Sequence, residues 1–249
     1  MFNKRHIVRT IAATVSILAL SFTAACGSGQ STASNSTDSD DITQQTYKPG
    51  KLTIATGQPA YEPWVMNDKP ESGEGYEAAV AYAVADKLGF KKSDVVWTRT
   101  AFDTAIAPGA KDWDFNIQQF GITDERKKAV DFSSSYYNDS QSVVVKKDSK
   151  FANATKVSDL KDATVGVMVG TLAYDYAKAN IKDDIQTFND DAALAQALDA
   201  GQIDALVTST VECVYMVQSE QVKDAKVLGR LPDSEDKSGM GIVLPKDSK

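Results

Sequence analysis

From residue 76 to 88, apolar side chains fall at 76, 79, 80, 83, 84 and 88, the spacing of one helix face, and Gly89 follows as a stop. Short apolar runs on either side predict strands at 52–55, 95–97 and 115–117. Another run, 142–145, ends in the charged turn Lys146-Lys147-Asp148. A second series then alternates: strand 164–167, helix 172–179, strand 184–188, helix 192–200 closed by Gly201, strand 205–207, a helix from about 211 to 218, and strand 226–228. Alternation of this kind predicts α/β lobes built on mainly parallel sheets. Ligands of open α/β sheets sit beyond the carboxyl ends of the strands, so segments just after strands are where chemistry is expected. There is no internal repeat.

The first 25 residues have a different pattern. Lys4, Arg5 and Arg9 precede an apolar run from 11 to 22, and small residues lead into Cys26. This is a secretory signal, too short for a stable membrane span. The step Thr23-Ala24-Ala25-Cys26 resembles a lipobox, which makes Cys26 the lipidated first residue of the mature chain; the competing reading is plain cleavage with a free Cys26. Residues 26–46 hold almost no large apolar side chain and predict a flexible tether with a root-mean-square reach of about 25 Å.

Charge and composition narrow the function. Removing residues 1–25 deletes three of 27 basic groups and none of 34 acidic ones, leaving 24 against 34, or −10. Nucleic acid is a poor partner for that balance. The single histidine is His6, inside the signal segment, so His-based nucleophile pairs and the commonest metal ligand are absent from the mature chain. No zinc spacing and no phosphate-cradling loop is present, and neither a metal nor a cofactor is expected. Cys213 lies in an apolar stretch and reads as buried packing.

The segment 118–137, QQFGITDERKKAVDFSSSYY, carries the most specific chemistry. Thr123 reads as a helix N-cap with Arg126 three residues later, a combination of amides and guanidinium suited to a small carboxylate. The plainer alternative is a surface helix start with Arg126 paired to Asp124 or Asp131.

Several pieces together resemble family 3 of the solute-binding proteins, the amino-acid receptors of ABC importers. They are Ala60-Tyr61-Glu62-Pro63-Trp64, Ala101-Phe102-Asp103, the run Phe120 through Arg126, Asp131-Phe132-Ser133 with Tyr136-Tyr137, Val165-Gly166-Val167 with Gly170-Thr171, and Gly201-Gln202-Ile203-Asp204-Ala205. Their order spans nearly everything after the tether. The resemblance implies a two-lobe periplasmic-binding-protein-like type II fold with a two-strand hinge. Residues 47–140 with 240–249 would form lobe one, and 141–239 lobe two. Members usually continue with C-terminal helices on lobe one, whereas here the chain reaches Lys249 soon after the return strand, which implies a fragment or a bare first lobe.

The resemblance also implies roles. Arg126 would hold a ligand α-carboxylate, with the Thr123 hydroxyl, the Gly121 amide and the Gly170-Thr171 turn of the other lobe completing the grip. Tyr61 and Phe102 would sandwich the rest of the ligand; for Trp64 core packing is the better reading. The family's lobe-two aspartate position is Ser209 here, and its additional lobe-one acid position reads Gly57-Gln58. Glu212, in preference to Glu62, is then the expected counter-charge for an ammonium group, and Gln58 favours a polar neutral ligand. The implied protein is a monomeric, lipid-anchored, non-enzymatic amino-acid receptor on the extracytoplasmic face, delivering to a membrane permease. An enzyme on the same fold, dehydratase-like, and an anchored sensor are the alternatives.

Overall fold

The computed structural model describes residues 41–248, which belong to one compact unit. The signal segment, most of the tether and Cys26 lie outside the described residues. In chain order the elements are β1 (Leu52–Thr56), α1 (Tyr76–Lys87), β2 (Val95–Arg99), α2 (Phe102–Ile106), β3 (Phe115–Asn116), β4 (Asp131–Tyr137), β5 (Gln141–Lys146), β6 (Val165–Met168), α3 (Leu172–Asn180), β7 (Gln186–Phe188), α4 (Asp191–Asp199), β8 (Ala205–Ser209), α5 (Thr210–Gln218), β9 (Ala225–Arg230) and β10 (Met240–Leu244).

They form two five-stranded sheets, ordered β2-β1-β3-β10-β4 and β7-β6-β8-β5-β9. In each, one strand in the fourth place runs against the other four: β10 in the first sheet, β5 in the second. The predicted mainly parallel α/β architecture is therefore present twice, once in each lobe. β1 is buried at all five positions, as a strand covered on both faces must be. Aliphatic clusters fill both lobes, around Val145, Val165 and Val207 in one layer of the second lobe and around Leu52, Ile54 and Ile117 in the first.

Chain crosses between the lobes at residues 138–140 and 231–239. These segments bond to one another: the Leu231 amide donates to Gln141 O (2.8 Å), the Asp236 amide to Asp139 O (2.9 Å), and the Gln141 amide to Ser234 Oγ (3.0 Å). Neither forms a regular strand.

Three expectations are corrected. The buried stripe of α1 is Glu77, Ala78, Ala81 and Ala85, with Tyr76, Ala79 and Ala83 exposed, so the helix is rotated from the predicted face. The reason is size: alanines let the helix backbone approach the sheet, while Val80, Val84 and Leu88 flank the contact. Residues 41–46, assigned to the tether from composition, include a 3-10 turn at Ile42–Gln44, capped by Asp41, which accepts the Thr43 amide at 2.9 Å. Residues 131–137, for which no element was predicted, form a seven-residue strand held by antiparallel pairing with β10, where Ser133 Oγ also accepts the Ile242 amide at 2.9 Å, and Phe132 packs against the first-lobe core.

Candidate functional site

The site lies between the two sheets and encloses about 70 Å³. Ligand pockets commonly span about 300–1,000 Å³, so the lobes must part to admit even a small molecule. The lobes touch directly. Arg126 Nη2 donates to Gly170 O at 2.9 Å, the Ala192 amide donates to Tyr61 Oη at 3.3 Å, and the Tyr215 hydroxyl donates to Glu62 at the rim.

Arg126 is placed by the loop that follows β3. Its amide donates to Thr123 Oγ1 (3.1 Å), which closes a single 3-10 turn, Arg126–Lys128. A helix was expected here; one turn supplies no useful dipole, so the guanidinium alone carries the positive charge. Nη1 donates to Gly121 O at 2.6 Å, and the group lies 5.4 Å from the Phe102 ring centroid. A guanidinium has five N–H donors, so others remain for a ligand. The plainer pairing does not form: Asp124 pairs with Lys127 (3.2 Å) and Asp131 with Lys246 (2.8 Å). Burial pulls the Arg126 pKa down, opposed by the charges of Asp175 and Asp236.

Thr123, Gly121 and Gly170 were expected to touch the ligand. None lines the cleft; Thr123 through its hydroxyl oxygen and Gly121 through its carbonyl hold Arg126 from its own lobe, and the Gly170 carbonyl meets the guanidinium from across the seam. A Cβ at Gly121 would lie 2.5 Å from Leu172 Cδ1 and 2.9 Å from Asp236 Oδ2, so any side chain there would displace two cleft-lining side chains. Thr171 does line the cleft, as the N-cap of α3: its Oγ1 accepts the Tyr174 amide at 3.2 Å. Tyr61 and Phe102 line it too, with Phe102 stacked on the buried Phe120 at 4.7 Å. Trp64 is 1% exposed and packs edge-on against Tyr76 and Tyr137, a core residue as expected.

Gln58 is a correction: it is exposed and does not line the cleft. Three other glutamines line the site, Gln118, Gln119 and Gln141, and Gln118 Nε2 would lie 3.1 Å from a Cβ placed on Gly57. Cys213 is fully buried.

The lobe-two wall is acidic. Ser209 caps α5 by accepting the Glu212 amide (3.2 Å), which puts Glu212 in the first turn and turned inward. Asp190 caps α4 through the Ala193 amide (2.8 Å), and Asp191 beside it is buried and lines the cleft. Both carboxyls meet one hydroxyl: Thr208 Oγ1 lies 2.8 Å from Glu212 Oε2 and 3.4 Å from Asp191 Oδ1. A hydroxyl has one proton to donate, so at most one is satisfied by it at a time. Burial lifts the Asp191 pKa to about 6, and burial plus the Asp191 charge lift Glu212 well above the usual carboxylate range. Asp139 and Asp236, from the two crossing segments, complete the wall; burial raises both.

Asp191, Gln118, Thr208, Asp139 and Asp236 escaped the sequence reading. Asp191 follows an N-cap aspartate and looks like an ordinary first-turn acid. Gln118 and Gln119 directly follow a strand, a position that could have marked them. The crossing-segment acids carry no periodic signal. Beneath the cleft, the buried Glu77 accepts the Gln119 amide (2.8 Å) and closer bonds from the Gln119 side chain and the Tyr136 hydroxyl, holding Gln119 at φ +50°.

The family described as bacterial extracellular solute-binding proteins, family 3, matches residues 52–207. The L-arginine-binding protein of Pseudomonas aeruginosa is 28% identical over 214 residues, covering 80% of this chain and 76% of that protein. The L-cystine-binding protein TcyJ of Escherichia coli is 31% identical over 191 residues, covering 76% and 69%. Among solved structures, an ancestral arginine-binding protein bound to arginine superposes with a TM-score of 0.66 at 31% identity, covering 80% of this chain and 86% of that one.

Proposed function

The chain belongs to the bacterial extracellular solute-binding proteins, family 3, and we propose that it is the lipid-anchored receptor of an ABC importer, binding a free amino acid by hinge closure. One observation carries the reading: a half-buried guanidinium spans the seam, bonded to a backbone carbonyl of each lobe, with donors left for a carboxylate. The names of the relatives support an amino acid as the ligand. A carboxylate entering the open cleft takes the fork of Arg126, and Thr171 at the start of α3 meets it from the other lobe. Because contacts come from both lobes, the ligand binds the closed state better and shifts the population toward it. The carboxyls that line the cleft, Asp139, Asp191, Glu212 and Asp236, supply the counter-charge that a buried ammonium requires. The relatives are named for binding, which favours a receptor over an enzyme.

The small residues before Cys26 support the anchor, with the charge-rich body held outside the membrane and handing its ligand to a permease. A Cys26→Ser chain that stayed in the membrane fraction would refute the anchor. For the ligand, the test is a thermal-shift screen of the free amino acids. A ligand that binds only the native state must raise the melting temperature. At least one amino acid is expected to do so without being consumed; turnover, or no shift from any of them, would overturn the reading.

A further inference from the structure

The side chains lining the cleft include four carboxyls, Asp139, Asp191, Glu212 and Asp236, against one base, Arg126. A neutral α-amino acid would give its carboxylate to Arg126 and one ammonium to this wall. That leaves the wall under-compensated, and buried carboxylates without partners are costly. Two further atoms point the same way. Gln118 is 9% exposed and its Oε1 has no hydrogen-bond partner; Asp236 Oδ2 has none either. Both are acceptors and both belong to residues lining the cleft, so what is missing from the site is donors. An ammonium or guanidinium brings donors only, whereas a side-chain amide brings an acceptor as well.

The acids fall into two groups. Asp139 and Asp236 sit on the crossing segments; Asp236 lies near enough for its charge to act on Arg126, and Asp139 reaches from there toward Ser209 and Glu212 at the start of α5. Asp191 and Glu212 share the Thr208 hydroxyl at the starts of α4 and α5, beside Tyr61. A second small cavity continues past that pair, lined by Tyr61, Glu62, Asp191, Glu212 and Tyr215, and so adds another carboxylate along the same path.

We infer that the ligand is a dibasic α-amino acid, its carboxylate on Arg126, its α-ammonium toward Asp139 and Asp236, and its side-chain cation between Asp191 and Glu212. This rests on the amino-acid reading above and replaces the polar neutral ligand suggested by Gln58, which lies off the site. Tyr61 caps the cation with its ring and hydroxyl. The other titratable groups facing the pair are Asp190, Asp139, Tyr61 and Cys213, all neutral or anionic, so nothing basic competes with the ligand there. Because burial and their mutual charge raise both carboxyls of the pair, an arriving cation favours their charged forms, and binding should release protons into the buffer.

The test is calorimetric titration of the detergent-solubilised full chain with L-arginine, L-lysine, L-glutamine and L-methionine, in two buffers of different ionisation enthalpy. The better of arginine and lysine is expected to bind at least about 100-fold more tightly than either neutral amino acid, with proton release. Glu212→Gln and Asp191→Asn should each weaken the cationic ligand at least about tenfold while leaving L-glutamine within about threefold. A neutral amino acid that binds as tightly as the cations would overturn the inference and leave the amino-acid receptor standing. Failure of all four would overturn the inference, and the amino-acid reading falls with it only if the full thermal-shift screen is also negative. If a variant does not fold, the wild-type ranking and the proton release decide the question without it.

Discussion

A Cβ on Gly57 would lie 2.6 Å from Pro59 O and 3.1 Å from Gln118 Nε2, so this glycine leaves room for the side chain that reaches the cleft while its neighbour Gln58 points to solvent. That swap shows what a motif reveals at the scale of a residue. Arg126 was legible because its charge type and its place after a strand are both written locally. Asp191 was not, because a first-turn acid and a buried ligand-facing acid are identical in sequence until the second lobe's helices pack. Glu77 makes the same point, a charged residue in an apolar helix that is fully buried. Burial lifts its pKa to about 7 against three hydrogen bonds that pull it down. A folded-state value above the ordinary 4.5 means the native state holds the proton more tightly than the unfolded chain. Its contribution to stability is therefore fully present below about pH 4.5 and is lost as pH rises through about 7. Denaturant unfolding of Glu77→Gln should show a flatter pH dependence between those limits than the wild type, whose slope from this group cannot exceed about 1.4 kcal/mol per pH unit. Equal slopes in the two proteins would remove Glu77 from the account.

Among the elements, strands and helices of the second lobe were legible to within a residue or two, since each apolar run is bounded by a turn or cap. The orientation of α1 was not. In YEAAVAYAVADK nearly every position is small or apolar, so periodicity fits more than one face. Packing chose the alanine face because small side chains bring helix and sheet close. Two substitutions separate the faces. Ala81 is fully buried, and Ala81→Leu should cost about 1–3 kcal/mol by overpacking. Ala83 is exposed, and Ala83→Leu should stay within about 0.5 kcal/mol of wild type in the same chemical denaturation. The reverse order would restore the face predicted from sequence. The single 3-10 turn at Arg126 is the other element the sequence overstated: Thr123 caps as expected, but the chain bends into β4 after Ala129 instead of continuing as a helix.

For the whole molecule, two sheets of matching order face each other across two crossing segments, and the contacts at their seam decide how it works. The alternation of strands and helices made the two lobes visible in sequence; the seam was not, because it joins residues more than forty positions apart, as in the bond from Arg126 to Gly170. The central claim is that this seam closes over a carboxylate held by Arg126. The direct measurement is a calorimetric titration of wild type and Arg126→Ala with whichever amino acid most raises the wild-type melting temperature. Loss of a buried, hydrogen-bonded charge partner should cost about 2–5 kcal/mol, so the variant is predicted to bind at least about 30-fold more weakly while still unfolding cooperatively. Binding of the variant within about tenfold of wild type would contradict the account.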